Sequence, residues 1–255
     1  MAARPARAKL VDGMLRPMST ASDDRPTGVP EAPGGLPPRA LTGWVALVAS
    51  LIALGYLSNA ASGPPDSDVL YRYSTAVGAV VQYALMAGVV AYLSFGTAAS
   101  TIGFRRPESW PRAASLTVLS LGAIWGIGAL LNLFLQAGEE QGLVPESWDS
   151  ARAGPFVANF VVIALVAPIV EETTYRGLGY AAVRFRFGPI AAIAVTALAF
   201  GLSHGLVVAL PVLTIFGAIL AALRWRTDSL YPPIILHAIF NAAALLAALT
   251  FGGGS

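Results

Sequence analysis

Three short clusters of polar side chains interrupt apolar stretches in the C-terminal half of the sequence. They run from Glu171 to Arg176, from Phe200 to His204 and from His237 to Asn241, and they contain both histidines of the chain. An ionisable side chain inside a bilayer costs at least a few kcal/mol, so carboxylates and imidazoles placed there mark a functional site by default. The pattern predicts chemistry inside a membrane.

The acidic pair in the first cluster predicts a division of labour. Glu172 and Arg176 are four residues apart, in the acid-then-base order that favours an ion pair on one helix face. Glu171 lies about 100° around the helix axis from Glu172, so the two carboxylates are not expected to point at one partner. We interpret Glu172 and Arg176 as a supporting ion pair and expect Glu171 to be free to face a cavity.

The other two clusters repeat the spacing of four, which gives Phe200 and His204 a shared face and does the same for His237 and Asn241. Phe200 is interpreted as packing beside His204. Together with Glu171, the two imidazoles and the carboxamide are the groups that activate water and stabilise an oxyanion in amide hydrolysis. An alternative is a zinc site, because Glu171, His204 and His237 could supply three ligands and leave a fourth position open.

The turn signal from Arg184 to Pro189 indicates that the first two clusters can meet. Glu171 and His204 are 33 residues apart, and this turn lies midway between them. In an antiparallel hairpin, residues equidistant from the turn lie at the same level, here about 20 Å from it at 1.5 Å per residue. His237 should lie about 16 Å into the last helix by the same rise. We therefore expect one shared intramembrane cavity.

The composition is that of a membrane protein. The chain is 56% hydrophobic and 12% charged, with a mean hydropathy of +0.66, whereas soluble domains are roughly 45 to 50% apolar and about 25% charged. The formal net charge of +2 includes no large block of one sign, so nucleic acid is not an expected partner. The absence of cysteine excludes disulfides, thiolate metal sites and a cysteine nucleophile.

The predicted fold is all-α: a polytopic bundle of about seven transmembrane helices around an intramembrane active-site cavity. Residues 1–40 hold seven of the eighteen prolines and no apolar run, which predicts a disordered tail. Residues 41–250 form the predicted transmembrane domain and residues 251–255 a flexible end. The predicted spans, each near the roughly 20 residues that a crossing needs, are 41–58, 75–97, 113–136, 155–183, 189–206, 207–223 and 229–250.

Basic residues alternate between rich and poor loops along the chain, beginning with six in the N-terminal tail. Under the positive-inside rule this alternation predicts a cytoplasmic N-terminus. Arginine outnumbers lysine fifteen to one, which is typical of a GC-rich genome. We therefore expect a multi-pass protein of a bacterial cell membrane.

The three clusters, in this order and on apolar helices, resemble the motifs of the CAAX prenyl endopeptidases and bacteriocin-processing enzymes, the CPBP or Abi family of intramembrane proteases. The resemblance covers about residues 155–250, and the segment Ile102 to Pro107 also resembles bacterial members. It implies that Glu171, helped by His204, activates water while His237 and Asn241 hold the oxyanion. The family has also been described as metal-dependent. We favour the glutamic mechanism, with no cofactor, because Asn241 suits an oxyanion donor, and zinc stays the alternative.

The predicted function is therefore an intramembrane endopeptidase that acts on a membrane-associated protein or peptide. A proton-coupled transporter is an alternative, because intramembrane Glu and His side chains also relay protons. The two halves of the sequence show no matching hydropathy or motifs, which many carriers have. A non-proteolytic immunity or scaffold member of the same family is a further alternative, although none of the three motifs is broken.

Overall fold

The computed structural model of the chain describes residues 35–62, 68–135, 140 and 148–251. All regular secondary structure within these ranges is helical, as the sequence predicts. Residues 1–34 of the predicted disordered tail and residues 252–255 of the predicted flexible end lie outside the described residues. The first helix begins at Arg39, two residues before the predicted start of the membrane domain.

The described connections between the helices include two single 3₁₀ turns, at Val69–Tyr71 and Ser150–Arg152. Two π-helical segments, Val162–Val166 and Thr173–Gly179, join the fourth, fifth and sixth α-helices into one run. The α-helices are α1 (Arg39–Ser62), α2 (Tyr73–Leu93), α3 (Trp110–Leu135), α4 (Ala153–Val161), α5 (Ala167–Glu172), α6 (Tyr180–Ser203), α7 (Leu210–Thr227) and α8 (Tyr231–Phe251).

Five helical segments of the described chain are long and apolar enough to cross a membrane, and a sixth apolar segment, Tyr231–Ala247, is shorter. One of the five, Ser150–Ser203, has 54 residues, far more than the roughly 20 that one crossing needs. The sequence predicts about seven crossings because residues 155–183 and 189–206 count as separate segments. The all-helical, polytopic class is confirmed, and this one continuous run accounts for the different count.

Gly188 interrupts the long run and reverses its direction. Its φ of 81° and ψ of 175° are not helical, and glycine adopts such angles without a steric penalty. Tyr175, on one side of this break, donates a hydrogen bond of 2.6 Å to Ser203 Oγ on the other side. The two arms therefore pack antiparallel about the predicted turn. The returning arm, from Pro189 to Ser203, is only about 22 Å long, which is shorter than the hydrocarbon core.

The long run packs closely against α1 through a tryptophan. Trp44 is 2% exposed, and its indole Nε1 donates a hydrogen bond of 3.0 Å to the carbonyl of Thr174 in the second π-helical segment. A Cβ atom at Gly179 would collide with the Trp44 ring. The glycine allows this close approach, and α1 thereby holds the segment that follows the acidic pair.

Candidate active site

The acidic pair lies on α5, between the two π-helical segments. The first segment ends with a bond from the Ala167 N–H to the Val162 carbonyl. The next donor in that pattern would be residue 168, which is proline and has no N–H. Asn241 Nδ2 on α8 instead donates a hydrogen bond of 2.9 Å to the carbonyl of Ile163. Asn241 thus ties α8 to the widened helix just before Glu171, and π-helical turns of this kind are frequent at functional sites.

Glu172 and Arg176 form the predicted ion pair, with Arg176 Nη1 at 2.9 Å from Glu172 Oε1 and both side chains fully buried. Arg176 Nη2 also donates a hydrogen bond of 2.9 Å to the Gly217 carbonyl on α7. Its guanidinium lies 4.5 Å from the centre of the Phe200 ring. The arginine therefore joins three parts of the bundle, and Phe200 packs on it as well as beside His204.

His237 lies between the two carboxylates. Its Nδ1 is 3.0 Å from Glu172 Oε1, and its Nε2 is 3.8 Å from Glu171 Oε2. Glu172 Oε1 accepts a hydrogen bond from Arg176, and a carboxylate can only accept. The hydrogen-bond network therefore places a hydrogen on His237 Nδ1, which donates to Glu172. The expectation that adjacent carboxylates do not share a partner was wrong, because an imidazole presents a separate nitrogen to each of them.

The sequence suggested that Glu171 is free of polar partners. In the structure, its carboxylate accepts a hydrogen bond from a residue of α2. Tyr83 Oη donates to Glu171 Oε1 at 2.7 Å. This bond orients the carboxylate and leaves Oε2 as the oxygen on the side of His237. Tyr83 was missed in the sequence because a tyrosine within an apolar span usually marks packing. Its position near the middle of span 75–97, away from the interfaces where tyrosine is enriched, was the available signal.

His204 follows the last residue of α6, and its ring is oriented by the end of that helix. Nδ1 lies 2.7 Å from the carbonyl of Phe200, which can only accept, so Nδ1 carries a hydrogen and Nε2 is the remaining nitrogen. The His204 and Phe200 rings meet edge to face at 4.6 Å. The chain after His204 is held by Glu140, whose carboxylate accepts 2.8 Å hydrogen bonds from the backbone N–H groups of Val207 and Ala209.

These side chains line one cavity of about 630 Å³ in the described part of the bundle. Its polar lining includes Tyr83, Asn132, Glu171, His204, His237 and Asn241. The rest of the wall is mostly apolar and includes α3, with the mid-span Trp125 among its residues. The volume falls within the roughly 300 to 1,000 Å³ of ordinary ligand sites. The arrangement can hold an apolar substrate segment beside a carboxylate and two imidazoles.

The residues of the alternative zinc site are not arranged as a ligand set. Among the residues that the structure describes, no group of three His, Cys, Asp or Glu side chains is placed to hold one metal ion. Glu171 Oε1 and His237 Nδ1 are already hydrogen-bonded to Tyr83 and Glu172. The atoms that remain are Glu171 Oε2 and His237 Nε2, and His204 is not placed to bind one metal ion together with them. We therefore derive no catalytic step through zinc.

The fold defines a multi-pass membrane protein, and a cavity with several polar side chains lies among its helices. Residues 153–243 match the family model described as Rce1-like, type II CAAX prenyl endopeptidase, and this range contains all three clusters. Residues 153–243 are therefore a domain of this family of CAAX proteases, which confirms the resemblance for this part of the chain and suggests a membrane protease. No curated protein and no solved structure matches the chain.

Proposed function

We propose that the protein is an intramembrane endopeptidase that hydrolyses a peptide bond of a membrane-associated protein or peptide. The observation that carries the proposal is the convergence of Glu171, His204, His237 and Asn241 on one cavity, within a domain of the CAAX protease family. An apolar wall around a few polar groups is what such a substrate requires.

In this proposal Glu171 is the general base. Tyr83 holds Oε1, and Oε2 takes a proton from a water molecule as that water attacks the peptide carbonyl carbon. His204 assists through Nε2, which can accept a hydrogen bond from the same water because the ring hydrogen is on Nδ1. The peptide C–N bond then breaks, and the proton held by Glu171 passes to the leaving amine.

His237 and Asn241 stabilise the oxyanion that forms during the attack. His237 Nδ1 is committed to Glu172, so the ring reaches substrate through Nε2, and donation there requires the doubly protonated ring. Asn241 uses one amide hydrogen on the Ile163 carbonyl, and its second hydrogen is available to the oxyanion. The Asn241 amide is held by this bond before the reaction, and donors fixed in advance stabilise developing charge at low reorganisation cost.

The orientation in the membrane follows from the charge distribution. The N-terminus and the ends rich in arginine, including the turn from Arg184 to Pro189, face the cytoplasm under the positive-inside rule. The location is a bacterial cell membrane, with the lipid bilayer and a membrane-associated substrate as partners. Nucleic acid is not among the proposed partners.

The deciding experiment compares new peptide termini in membranes from cells that express the wild-type chain or Glu171→Gln. The carboxamide keeps the shape of the side chain but cannot act as a base, and loss of a general base typically lowers a rate by about 10² to 10⁴. Mass spectrometry should detect termini that depend on the wild type and vanish in the variant. Identical termini from both proteins would overturn the glutamic mechanism.

Asp149→Asn is the matched control. It makes the same chemical change in a carboxylate that pairs with Arg152 at the protein surface, away from the cavity lining. This variant should produce the wild-type termini. If both variants lose them, the effect of Glu171→Gln is not specific to the cavity.

A further inference from the structure

A second concave site lies at one end of the bundle, outside the proposed active site. It has a volume of about 260 Å³ and is formed by the loop before α3, the first turn of α3 and the last residues of α7. Four arginines line it, Arg105, Arg106, Arg112 and Arg226, together with the acidic residues Glu108 and Asp228.

One of the two carboxylates is already neutralised. Asp228 pairs with Arg224 at 2.9 Å and with Arg105, while Arg184 lies 3.6 Å from it. Arg106, Arg112 and Arg226 form no ion pair with the residues that the structure describes. The guanidinium groups of these three arginines therefore have N–H donors available for an anion. Glu108 is the other carboxylate in the lining of the pocket.

Hydrogen bonds to main-chain carbonyls hold the loop before α3 against the residues that follow α7. The Leu230 N–H donates to the Gly103 carbonyl at 2.9 Å, and Ser229 Oγ donates to the Arg105 carbonyl at 2.6 Å. Gly103 has a φ of +100°, and a Cβ atom there would lie 2.6 Å from Arg224 Nε. The backbone of the loop that carries Arg105 and Arg106 is thus fixed against the end of α7.

The depth of the site indicates the source of the anion. It lies where two candidate spans, Trp110–Leu135 and Leu210–Thr227, end on the same side of the bundle. Trp110 and Trp225 are next in sequence to the lining residues Ser109 and Arg226. They are 47% and 36% exposed, and exposed tryptophans at span ends lie at the level of lipid head groups. Basic pockets between transmembrane helices at this level bind phosphate-bearing lipid head groups.

We propose that this pocket binds the phosphate of an anionic membrane lipid. Guanidinium groups donate paired hydrogen bonds that match phosphate oxygens, which a lysine ammonium cannot do in the same geometry. The lipid tails would lie along the outer faces of α3 and α7. This inference concerns a separate site and holds whether or not the protein cleaves peptides.

The test uses the full chain purified in a nonionic detergent, with lipid binding measured by native mass spectrometry. Phosphatidylglycerol should bind, and phosphatidylcholine and glycerol 3-phosphate should bind much more weakly. The double variant Arg112→Gln/Arg226→Gln should bind phosphatidylglycerol about a hundredfold more weakly, because it removes two guanidinium contacts with phosphate and each is worth about tenfold. If this double variant does not fold, the single variant Arg112→Gln should bind phosphatidylglycerol about tenfold more weakly, because it removes one such contact.

Arg186→Gln is the matched control, because Arg186 is exposed near the same end of the bundle but does not line the pocket. It should bind phosphatidylglycerol as the wild type does. Equal loss in this control, or equal binding of phosphatidylcholine, would overturn the proposal. Equally tight binding of glycerol 3-phosphate would identify a soluble anion as the ligand, and binding of an acidic peptide without lipid would identify a peptide site. Both results would overturn the lipid assignment.

Discussion

Tyr83 and Glu171 are 88 residues apart in the sequence and are joined by a hydrogen bond of 2.7 Å from the phenol to the carboxylate. The bond connects α2 to α5 and determines which oxygen of Glu171 faces His237. It makes Tyr83, which has no counterpart in the three sequence clusters, a positioning residue for the proposed base.

Tyr83→Phe should lower kcat/KM by about tenfold or more while the protein stays folded. The change removes a hydrogen bond to a charged group, worth about 1.5 to 3 kcal/mol, and keeps the ring. Cleavage rates and thermal melting in detergent would measure the two effects. Tyr92→Phe, in the same helix and 66% exposed in the wild type, should behave as the wild type in both measurements. Equal rates for Tyr83→Phe and Tyr92→Phe would contradict the positioning role.

Arg176→Ala should destabilise the fold by about 3 to 5 kcal/mol, because it leaves the carboxylate of Glu172 buried without its partner. Arg152→Ala removes an arginine from a partly exposed pair with Asp68, and exposed pairs contribute about 0 to 1 kcal/mol. Thermal melting and yield after solubilisation would compare the two variants. Similar losses in both would show that the buried pair has no special structural weight.

Asn241→Ala should lose stability as well as activity. Nδ2 bonds to the Ile163 carbonyl, and a buried acceptor left unpaired costs about 1 to 3 kcal/mol. Spacing alone suggested only a catalytic role for this residue. Asn132 also lines the cavity, but from α3. Asn132→Ala is therefore a suitable comparison, because it removes a side-chain amide from the same cavity. A melting temperature unchanged in Asn241→Ala would mean that the bond to Ile163 contributes nothing to the fold.

Asp228 should make the stability of the protein sensitive to acid. Partial burial favours the neutral form, but hydrogen bonds from Arg224 and Arg105 outweigh it and hold the pKa of Asp228 below its usual range. A lowered pKa in the folded state contributes stability above the unfolded pKa of about 3.9, and this contribution disappears as the pH falls through the lower folded value.

Asp228→Asn isolates this effect, because residue 228 has a φ of 49° and asparagine tolerates that left-handed conformation. The variant should melt below the wild type at pH 7, and the difference should shrink as the pH falls below about 4. Melting curves from pH 7 to pH 3 would measure it. A difference that stays constant over this range would show that the charge of Asp228 is not the cause.

We expect no metal at the site, so chelation should leave both the melting temperature and cleavage nearly unchanged. A metal bound to the native state would add its binding energy to stability, and removing it would lower the melting temperature. Elemental analysis of purified protein and melting with a strong chelator would check this. One zinc ion per chain, lost in His237→Ala and required for cleavage, would replace the glutamic mechanism with a zinc-dependent one.

The hairpin that brings the first two clusters together was predictable from local chemistry. Gly188 followed by Pro189 favours a helix break, because glycine permits non-helical angles and proline lacks an N–H. The i,i+4 pairing of Glu172 with Arg176 depends only on helix geometry. Both features involve residues near in the chain, and both were found.

The number of helical segments was harder to predict, because hydropathy identifies apolar stretches but not where a helix continues through a turn. The π-helical segments around α5 also left no clear periodic signal. They depend on Pro168 together with donors from other helices, such as Asn241 and Trp44, which satisfy carbonyls that the wider helix leaves open.

The sequence by itself determined the membrane setting, the helical class and the three motif clusters, because composition, periodicity and spacing are properties of short stretches of chain. Only the tertiary structure decided that Tyr83 bonds to Glu171 and that His237 lies between the two carboxylates. The same is true of the arginines that meet around Asp228. These contacts join helices distant in sequence, and their partners follow from how the helices pack, which no local pattern encodes.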